Sequence, residues 1–203
     1  MNRLTKAAVV ALALSTTAVV LWMLLAVPVG VLTARFRGGW LDRSILVLAT
    51  LSLSFPSFWL ARMLQYWLSF KLGWFPVAGL KSFRHLLLPA TALALLYAGY
   101  YSRLIHANML DVLESPYIRA ARARGLPELP VLFRHGLRNA WIPVVTILGM
   151  DVGSLLGGVM FTENVFALPG IGTLAVQSVL NLDVPMIMRS EERRVGKECR
   201  SRW

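Results

Sequence analysis

Tyr117 to Val145 reads YIRAARARGLPELPVLFRHGLRNAWIPVV. It is a basic, alanine-rich helix-turn-helix pattern set between two segments apolar enough to cross a membrane. Helix formers run from Asn108 to Arg124 and stop at Gly125, a residue suited to the left-handed conformation that ends helices. Leu126-Pro127-Glu128-Leu129-Pro130 then forces a turn. A second arginine-bearing helix, Val131 to Asn139, leads into the next apolar run and reaches the membrane at Pro143. Ala120 and Ala121 stand just before Gly125 and, with Ala123, keep the first helix slim enough for a groove. Arg119, Arg122 and Arg124 are placed to meet carboxylates around such a groove. The stretch reads as a docking loop.

The surrounding chain supports a membrane setting. Of 203 residues, 57% are hydrophobic, and mean hydropathy is +0.61, above the range of ordinary soluble domains. The formal charge of +11 is compatible with nucleic-acid binding, but the basic residues lie between apolar runs and do not form one face. They read as determinants of membrane topology. A single cysteine, Cys199, excludes an intramolecular disulfide framework and a cysteine-cluster metal site.

Composition changes abruptly at Arg189. The last fifteen residues, RSEERRVGKECRSRW, hold six basic and three acidic side chains and match the in-frame translation of a common sequencing-library adapter. Residues 189–203 are therefore expected to be non-native and are kept out of fold reasoning. Without them the chain has 15 basic and 7 acidic residues and no cysteine.

Residues 1–188 are expected to form one partial transmembrane domain. Its spans are about 7–34, 44–70, 86–106 and 140–161, with a cytoplasmic loop at about 107–139. The first run, about 28 residues long, exceeds a signal-peptide core and spans roughly 30 Å of hydrocarbon. Arg35 to Arg43 carries three arginines against Asp42, and Arg103 to Asn139 carries six against Asp111, Glu114 and Glu128. The positive-inside rule places both in the cytoplasm. Alternation then puts Lys71 to His85, Met1 and the segment after Phe161 outside. Proline and glycine inside the spans, such as Pro28, Gly30, Pro56, Pro89, Pro143, Gly149 and Gly153, favour kinks and close packing. Gly149, Gly153, Gly157 and Gly158 make a small-xxx-small series, read equally as packing within the chain or against another.

The spacing of the Ala pair, Gly125, His135, Arg138, Asn139 and Pro143 resembles the cytoplasmic EAA loop of ABC-importer permeases of the dipeptide, oligopeptide and nickel type. VPVGVLTARFRGGWLDR, SFPSFWLARML, KLGWFPVAG and TENVFALPGIGTLAVQSVLNLDVP resemble further family blocks, so the likeness runs from Leu4 to Met188. Arg119 stands where the general pattern has glutamate; the peptide and nickel branch commonly has arginine there.

The resemblance implies an all-α, polytopic permease fold with four of an expected six spans present, the first and last lying beyond this chain. It implies a multi-pass protein of a bacterial or archaeal cytoplasmic membrane that moves peptides, nickel or a related solute by alternating access. ATP and magnesium would be bound by two separate ATPase subunits; the other partners would be a second permease, identical or homologous, and an extracytoplasmic solute-binding protein. Arg119, Ala120, Ala121, Arg122, Arg124, Gly125, His135, Arg138 and Asn139 would form the ATPase-coupling loop. Glu163, Pro169, Gly170, Gly172 and Asp183, with Phe166 among them, would help form the external mouth.

Asp151 lies deep in its span, where a carboxylate is costly and usually faces a cavity or a partner; it is a candidate for the translocation path, although the family often has glutamine there. Arg62 is read as snorkelling or pairing with a neighbouring subunit, and His106 and His135 as interfacial or loop histidines, not metal ligands. The chain has no G-x-x-x-x-G-K-[ST] loop and no H-E-x-x-H motif, and Ser102 and Ser154 have no identifiable base. Two alternatives stay open: a membrane-embedded enzyme or protease, and a structural protein whose basic loop touches anionic lipid at about 1 kcal/mol per charge.

Overall fold

A computed structural model of the chain describes residues 3–80, 82–156 and 160–181. Every regular element among them is helical. The tail at 189–203, Asp183, Gly157 and Gly158 lie outside the described residues.

Helix α1 spans Arg3–Arg35 and, over Thr5–Arg35, is the one described helix long and apolar enough to cross a membrane by length and composition. The expected span 44–70 is not one helix. It divides into α2, Trp40–Ser54, and α3, Ser57–Leu64, which continues as a π-helical segment, Gln65–Lys71. Pro56 is the cause: the preceding residue is pushed out of the helical region, and Phe55 sits at φ −84°, ψ 133°. The expected span 86–106 lies within α4, Arg84–Leu113. The expected span 140–161 lies in α7, Arg138–Leu156, followed by α8, Met160–Val165.

The docking stretch holds α5, Pro116–Ala123, then α6, a single turn at Glu128–Pro130. A π-helical segment, Val131–Leu137, runs from there directly into α7. The helix expected over Asn108 to Arg124 is therefore broken between Leu113 and Pro116. Proline disfavours helical geometry in the residue before it, and Ser115 is extended at ψ 150°. The last element is α9, Ile171–Leu180.

The chain forms two compact units. One comprises residues 1–18, 57–93 and 151–203. Within it α3 packs on α8 and α8 on α9. Gln65 fastens the adjoining loops: its amide nitrogen donates to the carbonyls of Val77 at 2.7 Å and Val165 at 3.3 Å, while its oxygen accepts from Arg62 at 3.1 Å. Arg62 thus has a partner one helical turn away. The Lys71 ammonium lies 4.6 Å from the Trp67 ring centroid, a cation–π contact that offsets part of the exposed charge.

The other unit comprises residues 19–56 and 94–150. Here Trp22 of α1 stacks on Tyr97 and Tyr101 of α4, with ring centroids 4.6 and 5.7 Å away. Gly30 sets the approach of these helices, because a Cβ there would lie 2.8 Å from Ile105 and 2.9 Å from the Ser102 carbonyl oxygen. A Cβ at Gly149 or Gly153 would meet no described atom within 4 Å.

Candidate functional site

Helix α5 is short because both ends are written locally. Pro116 occupies its first turn, where the missing N–H costs no helical hydrogen bond. At the other end Gly125 has φ +77°. Its N–H donates to the Arg122 carbonyl at 2.9 Å, and the Leu126 N–H reaches the Ala121 carbonyl at 3.4 Å. These are the paired bonds of a Schellman closure, as expected of Gly125 from the sequence.

One face of α5 holds it to the following turn. Ile118 and Ala121 are buried with Val131, and Val112 and Leu113 pack around them. Burying Ile118 contributes about 2 kcal/mol. The Ala pair therefore divides: Ala121 faces inward, whereas Ala120 and Ala123 are exposed. Arg119, Arg122 and Arg124 are also on the exposed side, and Leu126, Leu129 and Phe133 continue it as exposed apolar side chains.

The polar residues of the stretch differ in their engagements. Arg122 donates to Glu128 at 3.0 and 3.4 Å, so its charge is answered within the chain. Arg119 reaches the Glu114 carbonyl at 3.3 Å. Asn139 donates to the Tyr117 hydroxyl at 2.6 Å, and that hydroxyl lies 3.4 Å from the His135 carbonyl, to which it donates. Arg138 is exposed and His135 half-buried.

Tyr117, Glu114 and Glu128 were missed as organisers in the sequence reading. Their only signal was position, an aromatic hydroxyl at the start of α5 and a carboxylate beyond each of its ends. The buried status of His106 was also missed. It is 9% exposed, with Asp42 at 7% and Thr33 at 2% beside it.

The candidate mouth residues cluster separately. The Glu163 carboxylate accepts the Thr173 N–H at 2.9 Å, in the first turn of α9. It thereby caps a helix whose own N-cap, Gly170, has no side chain. Gly170 and Gly172 flank the carboxylate, and the Leu168 N–H donates to the Glu163 carbonyl at 2.8 Å. Burial pushes the Glu163 carboxyl above its ordinary value, against the opposing pull of hydrogen bonds from Thr173 and Gly172. Pro169 is exposed and Phe166 buried in the same turn.

Asp151 is half-buried in the last third of α7, and its carbonyl accepts the Ser154 hydroxyl at 2.8 Å. No group of three or more metal-ligating side chains occurs among the described residues.

Residues 26–196 match the family described as binding-protein-dependent transport system inner membrane component. The glutathione transport system permease protein GsiC of Pectobacterium atrosepticum is 44% identical over 159 residues, covering 78% of this chain and 52% of that protein. GsiC of Escherichia coli (strain K12) is 41% identical over 174 residues, covering 86% of this chain and 57% of that protein. The chain thus spans about half the length of the curated relatives it matches. The fold is similar to that of a chain from the MetNI methionine ABC transporter in inward-facing conformation. That match has a TM-score of 0.74 and 18% identity, covering 97% of this chain and 93% of the other.

Proposed function

Since the chain belongs to the family of binding-protein-dependent transport system inner membrane components, we propose that it forms part of a permease subunit in an ATP-driven importer of peptides or a related small solute. The observation that carries this reading is the construction of α5. The helix is anchored by Ile118 and Ala121, closed at Gly125, and turns a face of small and basic side chains outward. Such a rigid knob suits a groove on an ATPase subunit. Arg119, Ala120, Ala123, Arg124 and Arg138 supply that contact, while Ala121, Arg122, His135 and Asn139 hold the loop in shape.

The proposed cycle is alternating access. ATP and magnesium bind to two partner ATPases, whose closure moves α5, and the spans of two permease subunits open a path between them. Asp151 faces that path. The turn around Glu163, Pro169, Gly170 and Gly172, together with Asp183, forms the external mouth that receives solute from a binding protein. The GsiC relatives are named for glutathione, itself a small peptide, which favours a peptide-like solute; nickel has less support. No catalytic step is assigned to this chain.

The test uses the complete transporter in proteoliposomes, with this chain in its full-length subunit. The expected result is uptake of labelled glutathione or dipeptide that requires ATP. Ala120→Trp, which enlarges only the exposed face, should cut uptake by roughly tenfold or more, equivalent to about 1.4 kcal/mol of lost docking energy. Unchanged uptake and unchanged ATPase retention in that variant would remove the docking role.

A further inference from the structure

We infer that the turn between α1 and α2 is a strut that positions α5 and passes its displacement to α1 and α4. The inference rests on the coupling role proposed above for α5.

Helix α5 is bracketed by two carboxylates, Glu114 just before it and Glu128 just after it. Both reach the same turn. Glu114 forms an ion pair with Arg37, and Glu128 lies 4.0 Å from Arg35 while also holding Arg122 of α5 itself. Arg35 closes α1, and Arg37 lies two residues beyond it. One short turn therefore holds α5 at both ends.

The same turn is pinned from the interior. Asp42, in the first turn of α2, accepts the Gly38 N–H at 3.0 Å through one carboxylate oxygen. Its other oxygen is buried without a hydrogen bond among the described residues and lies 3.7 Å from His106 Nδ1 on α4. His106 Nδ1 is 3.0 Å from the Thr33 hydroxyl on α1. The single hydrogen of that hydroxyl has the Val29 and Gly30 carbonyls in reach, both at 3.0 Å. Placed on either, it leaves the hydroxyl to accept, and with Asp42 facing the same ring nitrogen this arrangement puts the proton on His106 Nδ1.

One N–H thus faces two acceptors, Thr33 and Asp42, on two different helices. A buried carboxylate oxygen left short of a partner is costly, and the Gly38 N–H engages only the other oxygen of Asp42. A shift of His106 of under about 1 Å would exchange Thr33 for Asp42 and bring the contact to hydrogen-bond length. This is the small two-state element that converts a movement of the turn into a movement of α1 against α4. Exposed pairs such as Arg37 and Glu114 add little stability. Their value here is in location.

The experiment measures solute imported per ATP hydrolysed in the reconstituted transporter, comparing complexes assembled in equal amount. Arg37→Glu and Glu114→Arg are each expected to lower that ratio roughly threefold, with recovery in the double variant. Asp42→Asn should lower it at least about fivefold, since an amide whose oxygen keeps the Gly38 N–H presents its own N–H groups to His106. A ratio unchanged in the single variants, or no recovery in the double, overturns the strut while leaving the importer reading intact. Absence of ATP-driven uptake with the unmodified chain overturns the importer reading and the strut together.

Discussion

Glu163 and Gly170 occupy adjoining space so closely that a Cβ placed on Gly170 would fall within the Glu163 carboxylate. Gly170 is extended, at φ −93° and ψ −179°, so glycine is required there for room and not for backbone conformation. Gly170→Ala should displace a carboxylate that is 1% exposed and release the cap on Thr173. The expected cost is about 1–3 kcal/mol, seen as a lower Tm of the detergent-solubilised protein. Glu163→Ala in the same chain should make the Gly170→Ala step much cheaper, because the two share one space. A Gly170→Ala protein that melts like its parent would show the contact to be soft.

The same carboxylate predicts a pH dependence with a definite sign. Burial raises the folded-state value of Glu163 above 4.5, so the folded protein holds this proton more tightly than the unfolded chain. Its favourable contribution is complete below the unfolded value and is lost as pH rises through the raised folded value. Glu163→Gln keeps an oxygen for the Thr173 N–H and cannot ionise. Stability of the parent relative to Glu163→Gln should therefore decline from pH 4.5 upward, measured by chemical denaturation at a series of pH values. A difference that stays flat, or that grows in the parent's favour, contradicts the assignment.

Much of the docking stretch was legible because its signals are local. Gly125, Pro127 and the run into α7 are short-range instructions met in the structure, whereas Pro130, expected in the turn, lies inside the helical run that begins at Glu128. One break was hidden because helix-favouring side chains flank it: Pro116 interrupts a run of strong helix formers, whereas Pro56, expected to kink its span, separates α2 from α3 outright. The exposed and buried members of the Ala pair were not legible either. Which alanine faces inward depends on where Val131 returns, and that depends on the π-helical segment after Pro130. His106 was the least legible, since Thr33, 73 residues away in sequence, and Asp42 come beside it only when α1, α2 and α4 meet.

Tyr117 ties α5 to the start of α7 through one hydroxyl, which accepts from Asn139 and donates to the His135 carbonyl. Tyr117→Phe removes both bonds and keeps the ring. The residue is 42% exposed, so the cost should be about 1 kcal/mol or less. The informative readout is local: amide hydrogen exchange across residues 116–123 should quicken severalfold while α1 and α4 keep their protection. Equal exchange in the two proteins would mean that Ile118 and Ala121 alone hold the helix.

Gly125 separates a backbone requirement from a steric one. Its φ is +77°, and a Cβ there would meet no described atom within 4 Å. Space is free, so any penalty for substitution comes from the left-handed conformation. That penalty is about 1–2 kcal/mol for an ordinary side chain, smaller for asparagine and largest for a β-branched residue. Uptake by the complete transporter should consequently fall in the order Gly125, Gly125→Asn, Gly125→Ala, Gly125→Val, with membrane insertion unaffected throughout. Asparagine is larger than alanine, so a purely steric site would invert the middle pair. Observation of that inversion, or normal uptake in Gly125→Val, would show that the Schellman closure of α5 is dispensable for coupling.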